Sequence, residues 1–558
     1  MSKSAIQKAR DFIENEKQFH LGFLPTEQSN PLTKNLDKEF ARSAADGVAN
    51  LQTVDRCVLE MAQKVFAGKE FEKLVKTGVE VIKNGGKIVF SGCGATGRLS
   101  ILLECMWRDC CAKMPEAAKY ADHVFSIMTG GDYALVRSVE FFEDYQAFGR
   151  RQVQELGMVR GDMLVAITEG GETSSVLGSL FEALDRDCHA FLLFNNPAEL
   201  LAEHLERSRK AIRDPRVCVL DLYCGPMALA GSTRMQATTS EQLVAGGALE
   251  SIMNQLLGRE LCDYAAGFET LLTELESPAS RRAMADYIEF EAETYRAKGL
   301  VTYFADEYLL DIFTDTTERS PTFMLPPFRK EDDQLSPQSW AFVKNPLRST
   351  EEVWANGMHR PLRCLEWLPG DYAAMNAPAG IQQNPPLIQA KELLKFAVGN
   401  ELIGKRCATG KDAAVLVTVG NGGHAMLNQA FSSLTGNFAE RRTLSIGGGE
   451  ADFRISCTIP ASPFAVIGHM AVKLVFNTVS TGTMAVLGRI TGNWMSWVDC
   501  TNKKLMDRGT RLICEIGKIS YQEACTALFE ALEVLEKNTQ QSEEKQSAVQ
   551  YVLERLQH

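Results

Sequence analysis

The sequence predicts an α/β protein with two doubly wound parallel sheets in tandem, an N-terminal arm and a helical C-terminal cap. Two strand–loop–helix units in the first half carry this prediction, and the same order of strand and helix returns in the second half. Strands that alternate with helices favour parallel sheets covered by helices. The 558 residues suffice for several domains.

The first half contains two short apolar strands, each followed by a loop rich in glycine or hydroxyl residues. Residues 87–91 form the first strand, and the loop Gly92-Cys-Gly-Ala-Thr-Gly-Arg98 precedes a helix. Residues 163–167 form the second strand, followed by Thr168-Glu-Gly-Gly-Glu-Thr173 and another helix. Loops at the carboxyl ends of parallel strands meet at one edge of the sheet, where ligands bind. The two loops are therefore expected to share one site.

The second half repeats this pattern with a changed first loop. A junction is predicted at Ser277-Pro278, with strands at residues 300–304 and 413–419 beyond it. Residues 305–308, the first loop of this half, contain no glycine, so a degenerate phosphate loop is expected there. The predicted division is an arm (1–50), a first domain with the ligand site (51–280), a second domain (281–498) and a helical cap (499–558).

The composition of the sequence limits the kinds of molecule that the protein is expected to bind. The 59 Lys and Arg against 71 Asp and Glu give a net charge of -12 without a basic block, which argues against nucleic acid and membrane surfaces. The 15 cysteines include no CxxC spacing, so reduced thiols, no metal site and a cytoplasmic location are expected. The motif GxxxxGK[ST] does not occur, and two short loops with hydroxyl residues suit a monophosphate better than ATP or NAD, so no nucleotide cofactor is expected.

The two loops of the first half suit a phosphate monoester. Glycines let the backbone approach an anion, and the N–H groups at the start of the following helix point towards it. Hydroxyl groups add further donors. The candidate ligand-binding residues are Gly94, Thr96 and Gly97 in the first loop and Thr168, Glu169, Gly170 and Thr173 in the second.

Several motifs resemble the sugar isomerase (SIS) domain family of N-acetylmuramic acid 6-phosphate etherases and glucokinase regulatory protein. The segments similar to the family are 92–98, Thr26–Thr33, Gly130-Gly-Asp132 with Glu140-Phe-Phe-Glu143, Gly231-Ser-Thr-Arg-Met235, 473–482 and 501–508. The resemblance implies a sugar phosphate ligand and two flavodoxin-like SIS domains in one chain. Two SIS domains in one chain are the layout of the regulatory protein. An etherase has one SIS domain per chain and works as a dimer, so the resemblance implies a pseudo-dimer within this single chain.

The resemblance to etherases also implies two catalytic carboxylates. Glu104 lies in the helix after the phosphate loop, where etherases carry a catalytic glutamate, and Glu143 matches their other glutamate. One carboxylate would remove the C2 proton of the open-chain sugar, and a protonated carboxyl would donate to the ether oxygen as lactate leaves C3. The alternatives are a helix surface charge for Glu104 and an exposed acid for Glu143. Residues 318–323, Glu-Arg-Ser-Pro-Thr-Phe, resemble the segment of the etherases that contains a catalytic glutamate.

Other positions depart from the family or have two interpretations. Gly170 stands where the etherases have a serine, and Gln236 replaces a lysine, which leaves the exact sugar open. Lys473 is expected to supply a cation from the second domain, the alternative being a solvated helix lysine. His424 is a candidate for ring opening, the alternative being an exposed loop histidine.

Three functions remain open at the level of sequence. The first is a lyase that cleaves the lactyl ether of N-acetylmuramic acid 6-phosphate. The second is a non-catalytic sugar phosphate sensor that binds a sugar kinase, and the third is an aldose–ketose isomerase of phosphosugars. Glu104 favours the first, and the two-domain layout with a cap favours the second. The SIS loops alone do not distinguish the isomerase from the other two functions.

Overall fold

Two parallel five-stranded sheets form the framework of the chain. The computed structural model describes residues 4–139, 141–422, 424–538 and 545–556. The strands are β1 Ile88–Gly92, β2 Val124–Met128, β3 Met163–Ile167, β4 His189–Phe194, β5 Val217–Asp221, β6 Val301–Phe304, β7 Ala341–Lys344, β8 Ala413–Val419, β9 Glu440–Ile446 and β10 Phe453–Ile455.

The two sheets have the same topology. The first has the order β2-β1-β3-β4-β5, and the second, read from the matching edge, has the order β7-β6-β8-β9-β10. Both follow the 2-1-3-4-5 order of doubly wound flavodoxin-like folds. The fold class predicted from the sequence is therefore confirmed, and the expected strands at 87–91, 163–167, 300–304 and 413–419 correspond to β1, β3, β6 and β8.

Helices cover both sheets and form the two terminal regions. Short 3₁₀ helices occupy Lys17–Phe19, Pro25–Glu27, Pro31–Thr33, Ala118–His123, Phe142–Asp144 and Gly404–Arg406. The α-helices are α1 Ala5–Asn15, α2 Leu36–Arg42, α3 Ala44–Gln52, α4 Asp55–Phe66, α5 Lys69–Lys83, α6 Ala95–Lys113, α7 Tyr133–Val136, α8 Gln146–Glu155, α9 Ser174–Asp185, α10 Ala198–His204, α11 Glu206–Ile212, α12 Gln236–Leu257, α13 Tyr264–Leu275, α14 Pro278–Arg296, α15 Leu309–Phe323, α16 Thr350–Met358, α17 Pro369–Ala374, α18 Ala379–Gln383, α19 Ala390–Leu393, α20 Ala425–Leu434, α21 Val466–Val486, α22 Lys503–Gly517, α23 Tyr521–Asn538 and α24 Ala548–Leu556.

One hydrophobic core extends across both sheets. It contains Phe90 of β1 and Tyr303 of β6, together with side chains of α12 and α21, two helices that are buried almost along their whole length. These two helices pack against each other between the halves. The domain boundary predicted at residue 280 falls inside α14, so the proposed division crosses a continuous helix. The two halves are thus joined by shared apolar packing as well as by the chain.

The cap has an apolar core of its own, to which the arm is attached. Leu512 and Ile513 of α22 pack with Leu528 of α23 and Val549 of α24. Helix α1 lies against α23, where the rings of Phe12 and Phe529 have centroids 6.2 Å apart. No helix within the described ranges is long and apolar enough to cross a membrane.

Candidate functional site

The first phosphate loop joins β1 to α6 and is closed by its own threonine. The Thr96 hydroxyl donates to the Cys93 carbonyl (2.8 Å) and accepts from the Cys93 N–H group (3.0 Å). Gly94 has φ +58°, and a Cβ on Gly97 would lie 2.8 Å from Cγ of Met128. Glycine is therefore required where the helix packs against the sheet. Thr96 shapes the loop, since its hydroxyl is engaged by the loop backbone.

Two helix N-termini meet at this edge of the sheet. Helix α6 begins after Gly94 and α9 begins after Thr173, and neither first turn has a side-chain cap. Thr168 donates from its hydroxyl to the hydroxyl of Thr173 (2.9 Å), which links the two ends of the second loop. The first N–H groups of a helix have no partner within the helix, and the helix dipole favours an anion there.

A cavity of about 200 Å³ lies in front of these two helix N-termini. It is lined by both phosphate loops, by the turn before α12, by α15 of the second half and by α22 of the cap. The lining residues with polar or charged side chains are Thr129, Ser138, Glu143, Glu169, Thr173, Ser232, Thr233, Arg234, Glu318, Thr322, Asn502, Lys504 and Arg508, and Gly94 lines the cavity with its backbone. The cavity therefore draws on the first half, the second half and the cap together.

Three carboxyl groups line the cavity, two from the first half of the chain and one from the second. Glu143 follows α7 in the first half, and its Oε1 accepts from Nδ2 of Asn502 (3.1 Å). Glu318 lies on α15 in the second half and is paired with Arg98, a residue of α6 that is 1% exposed. Glu169, the third, belongs to the second phosphate loop. Glu140, of the same motif as Glu143, lies outside the described residues.

Glu169 holds its proton more tightly than an ordinary glutamate. Burial raises its pKa to about 7, and the charges of Glu318 and Glu143 act in the same direction. A carboxyl group with such a pKa is largely protonated just below neutral pH, whereas an unperturbed glutamate is ionised. The cavity thus combines a carboxyl group that can donate a proton with carboxylates that can accept one.

Two of the three cationic side chains that line the cavity, Lys504 and Arg508, come from the cap, and the third is Arg234. Lys504 donates to Oε1 of Glu172 (3.2 Å), and although burial acts to lower its pKa, Glu172, Glu143 and Glu27 together raise the pKa above its ordinary value. Arg508 makes two hydrogen bonds to Glu27 of the arm, at 2.9 and 2.6 Å. A Cβ on Gly231 would lie 2.8 Å from Nε of Arg508, so glycine allows this close approach. The arm therefore positions a cap residue that lines the cavity.

The structure separates the two glutamates predicted to be catalytic. Glu143 lines the cavity, whereas Glu104 lies within a buried ion cluster and is 0% exposed. Its Oε1 accepts from Nε of Arg108 (2.8 Å) and from Arg363, and its Oε2 accepts from Nε of Arg360 (3.1 Å) and from the N–H and hydroxyl of Ser126 (3.0 and 2.7 Å). With both oxygens occupied by donors, Glu104 has the contacts of a structural carboxylate.

Lys473 and His424 also lie apart from the cavity. Lys473 is 7% exposed, so it is not a solvated helix lysine, and its Nζ donates to the carbonyl of Arg234 (2.8 Å) and to Oδ1 of Asn477 (3.1 Å). Burial lowers its pKa to about 8. His424 directly precedes α20 in the second half and is partly exposed, and Gly423 lies outside the described residues. Lys473 thus supports the loop that lines the cavity instead of lining it.

The sequence contained signals for the residues that were missed. Glu318 stands in the stretch that echoes the etherase glutamate, and Lys504 and Arg508 stand in a segment that resembles the family. Ser232 and Arg234 belong to the motif 231–235. Each motif was visible, but its place at the cavity depends on contacts between distant segments of the chain.

Comparisons with known proteins agree with these motifs. The family model for the glucokinase regulatory protein N-terminal SIS domain matches residues 70–184. The N-acetylmuramic acid 6-phosphate etherase of Yersinia pestis (strain Pestoides F) is 30% identical over 224 residues, which are 40% of this chain and 68% of the relative. Etherase 1 of Bacillus licheniformis is 29% identical over 225 residues, covering 40% of this chain and 67% of the relative.

Solved structures include similar chains at low sequence identity. The C-terminal domain of glucosamine-fructose-6-phosphate aminotransferase from Francisella tularensis matches with a TM-score of 0.40 and 11% identity, covering 79% of this chain and 97% of that one. The match to the Yersinia etherase assigns the family by sequence. This chain belongs to the SIS-domain family of N-acetylmuramic acid 6-phosphate etherases and glucokinase regulatory protein.

Proposed function

We propose that this protein is a carbon–oxygen lyase that binds a phosphosugar and cleaves the lactyl ether of N-acetylmuramic acid 6-phosphate. The observation that carries the proposal is that Glu143 and Glu318, from separate halves of the chain, line one cavity together with both phosphate loops. The sequence similarity to etherases supports the choice of substrate. The proposed site lies in the first domain (51–280) and is completed by the second domain (281–498) and the cap (499–558).

The phosphate group is proposed to bind at the N-termini of α6 and α9. Gly94 and Thr173 directly precede these helices, and Lys504 adds a cation to the same cavity. Thr96, Gly97, Thr168 and Gly170 act indirectly in this proposal, because they shape the two loops. A phosphate held by helix N–H groups and one lysine needs no metal ion.

The chemistry requires one group that accepts a proton and one that donates a proton. In the open-chain sugar the C1 aldehyde acidifies the C2–H bond, so a carboxylate removes that proton as the C3–O bond breaks and a C2–C3 double bond forms. The leaving lactate oxygen receives a proton from a second carboxyl group. Water then adds across the double bond, with its oxygen at C3 and its proton at C2. Glu143 and Glu318 are the proposed pair of proton acceptor and proton donor.

Glu169 assists this pair in the proposal. Its pKa of about 7 lets it stay neutral just below neutral pH, beside the negative charges of the phosphate and of the catalytic base. A neutral carboxyl can donate a hydrogen bond to a sugar oxygen without adding a further negative charge to the site. Glu104 is left out of the chemistry, because its oxygens are occupied by arginine and serine donors.

A non-catalytic sugar phosphate sensor is the second candidate function. The match to the glucokinase regulatory protein domain over residues 70–184 and the two sheets in one chain favour it. In a sensor, Glu143 and Glu318 would accept hydrogen bonds from sugar hydroxyls, and a sugar kinase would be the partner. An isomerase is the third candidate, since the same base would also move a proton between C1 and C2.

The test is an assay for released lactate with N-acetylmuramic acid 6-phosphate. Each of Glu143→Gln and Glu318→Gln is expected to reduce turnover by about 10²–10⁴-fold while phosphosugar affinity changes little. Glu307→Gln is the matched control, because Glu307 is exposed in the second half and lies away from the cavity. Tight binding of a hexose phosphate without any lactate release would favour the sensor instead.

A further inference from the structure

Two hydrogen-bond donors at the cavity have no acceptor among the described residues. Ser232 and Arg234 both line the cavity and are each 3% exposed. Within the ranges that the structure describes, the Ser232 hydroxyl and the Nε–H of Arg234 are buried and have no hydrogen-bond partner. Buried polar groups are nearly always bonded, and an orphaned donor costs stability. Two such donors in one short loop indicate that a ligand supplies the acceptors.

The loop that carries these donors is held in place from the second half of the chain. Nη1 of Arg234 donates to Oδ1 of Asp315 (2.7 Å), and Nη2 donates to the hydroxyl of Thr481 (2.9 Å). The carbonyl of Arg234 accepts from Lys473 (2.8 Å). The guanidinium is thus fixed by its terminal nitrogens while its Nε–H stays unused. Such a group binds a ligand without first losing side-chain freedom.

These donors are separate from the groups that suit the phosphate. The phosphate faces the N-termini of α6 and α9, whereas Ser232 and Arg234 belong to the turn before α12. A ligand that fills the cavity therefore meets Ser232 and Arg234 with a different substituent. An Nε–H group and a hydroxyl offer two donors, which match the two oxygens of a carboxylate.

We propose that Ser232 and Arg234 form a subsite for a carboxylate, which in the substrate is that of the lactyl group at C3. This inference rests on the proposed function and adds the residues that distinguish a lactyl-bearing sugar phosphate from its lactyl-free counterpart. Asp315 balances the charge of Arg234, so the subsite acts through directed hydrogen bonds more than through net charge. The same contacts hold the lactate as it leaves the sugar.

The inference is tested by comparing two ligands in one variant. In a Glu318→Gln background, which prevents consumption of the ligand, calorimetry measures binding of N-acetylmuramic acid 6-phosphate and of N-acetylglucosamine 6-phosphate. Ser232→Ala is expected to weaken the first ligand about 10- to 100-fold and the second less than about 2-fold, because one hydrogen bond to a charged group is lost. Equal weakening of both ligands, or no weakening of the first, would overturn the inference.

A matched control separates this effect from the loss of any buried hydroxyl. Ser445 on β9 is 0% exposed, its hydroxyl also has no partner in the described chain, and it lies away from the cavity. Ser445→Ala should leave both affinities unchanged. Without ligand, Ser232→Ala should melt at the same or a higher temperature, because it removes an unsatisfied donor. A lower melting temperature would assign the hydroxyl a structural role and contradict the inference.

The outcome is independent of the lactate assay. Selective weakening of the lactyl-bearing ligand in a protein that releases no lactate would support the subsite and refute the lyase. Lactate release by the parent protein without selective weakening in Ser232→Ala would support the lyase and refute the subsite.

Discussion

Glu104 offers a direct test of whether a buried glutamate serves stability or catalysis. Its two oxygens accept hydrogen bonds from Arg108, Arg360, Arg363 and Ser126. Burial acts to raise the pKa of Glu104, but Arg360 and Arg363 outweigh it and hold the pKa below its ordinary value. The contribution of this carboxylate to stability is therefore complete at neutral pH and is lost only as the pH falls through that lowered pKa.

The magnitude follows from the partners that Glu104→Gln would leave behind. Removing one member of a buried ion pair costs about 3–5 kcal/mol. Arg360 keeps its two hydrogen bonds to Asp132, at 2.6 and 2.9 Å, and the Gln amide oxygen still accepts one bond. A loss of about 3 kcal/mol is therefore expected, at the lower end of this range. Some amides of α6 exchange with solvent only when the whole domain unfolds. For these amides, the loss corresponds to an exchange rate about 150-fold higher in native-state hydrogen exchange.

The assay compares Glu104→Gln with Glu80→Gln, which alters an exposed glutamate of α5. Glu80→Gln should change stability by less than about 0.5 kcal/mol. At a temperature where both variants are folded, Glu104→Gln should retain phosphosugar affinity and turnover. Full stability combined with lost turnover in Glu104→Gln would refute this reasoning and return Glu104 to a catalytic role.

Two further predictions concern groups that line the cavity. Because Glu169 has a folded-state pKa of about 7, above the ordinary glutamate value, it binds extra protons in the folded state and stability falls as pH rises towards 7. Glu169→Gln should therefore be more stable than the parent at pH 8 but not at pH 4, as read from thermal unfolding, and an equal difference at both pH values would contradict the burial of its charge. Lys504→Met should weaken hexose 6-phosphate binding about 10- to 150-fold in calorimetry, because a charge-assisted bond is lost. Unchanged affinity would remove Lys504 from the phosphate site.

The fold was predictable because its signals are local. Glycine loops such as 92–97 follow apolar strands directly, and the alternation of strand and helix determines the class of sheet. The repetition of this pattern in the second half predicted a second sheet of the same kind, and both sheets have the same strand order. Short-range chemistry was sufficient for these features.

The site was only partly predictable because it depends on contacts between distant segments. Glu143 and Glu169 were candidates from sequence motifs, and both line the cavity, whereas Glu318 is brought there by packing between the halves. Glu104 and Glu318 are both glutamates of helices that follow a first strand. Only the folded chain shows that Glu104 lies buried among three arginines, whereas Glu318 pairs with one arginine and lines the cavity. Sequence patterns reveal the residue types, while tertiary packing decides their neighbours.

The central claim is that the two carboxylates from different halves perform an elimination in one cavity. The most direct measurement incubates the parent protein with N-acetylmuramic acid 6-phosphate in deuterated water and follows lactate together with the isotope at C2. The account predicts lactate release with one deuterium at C2 of the sugar product, and loss of both signals in Glu318→Gln. Absence of lactate from the parent, or full activity in Glu318→Gln, would contradict it.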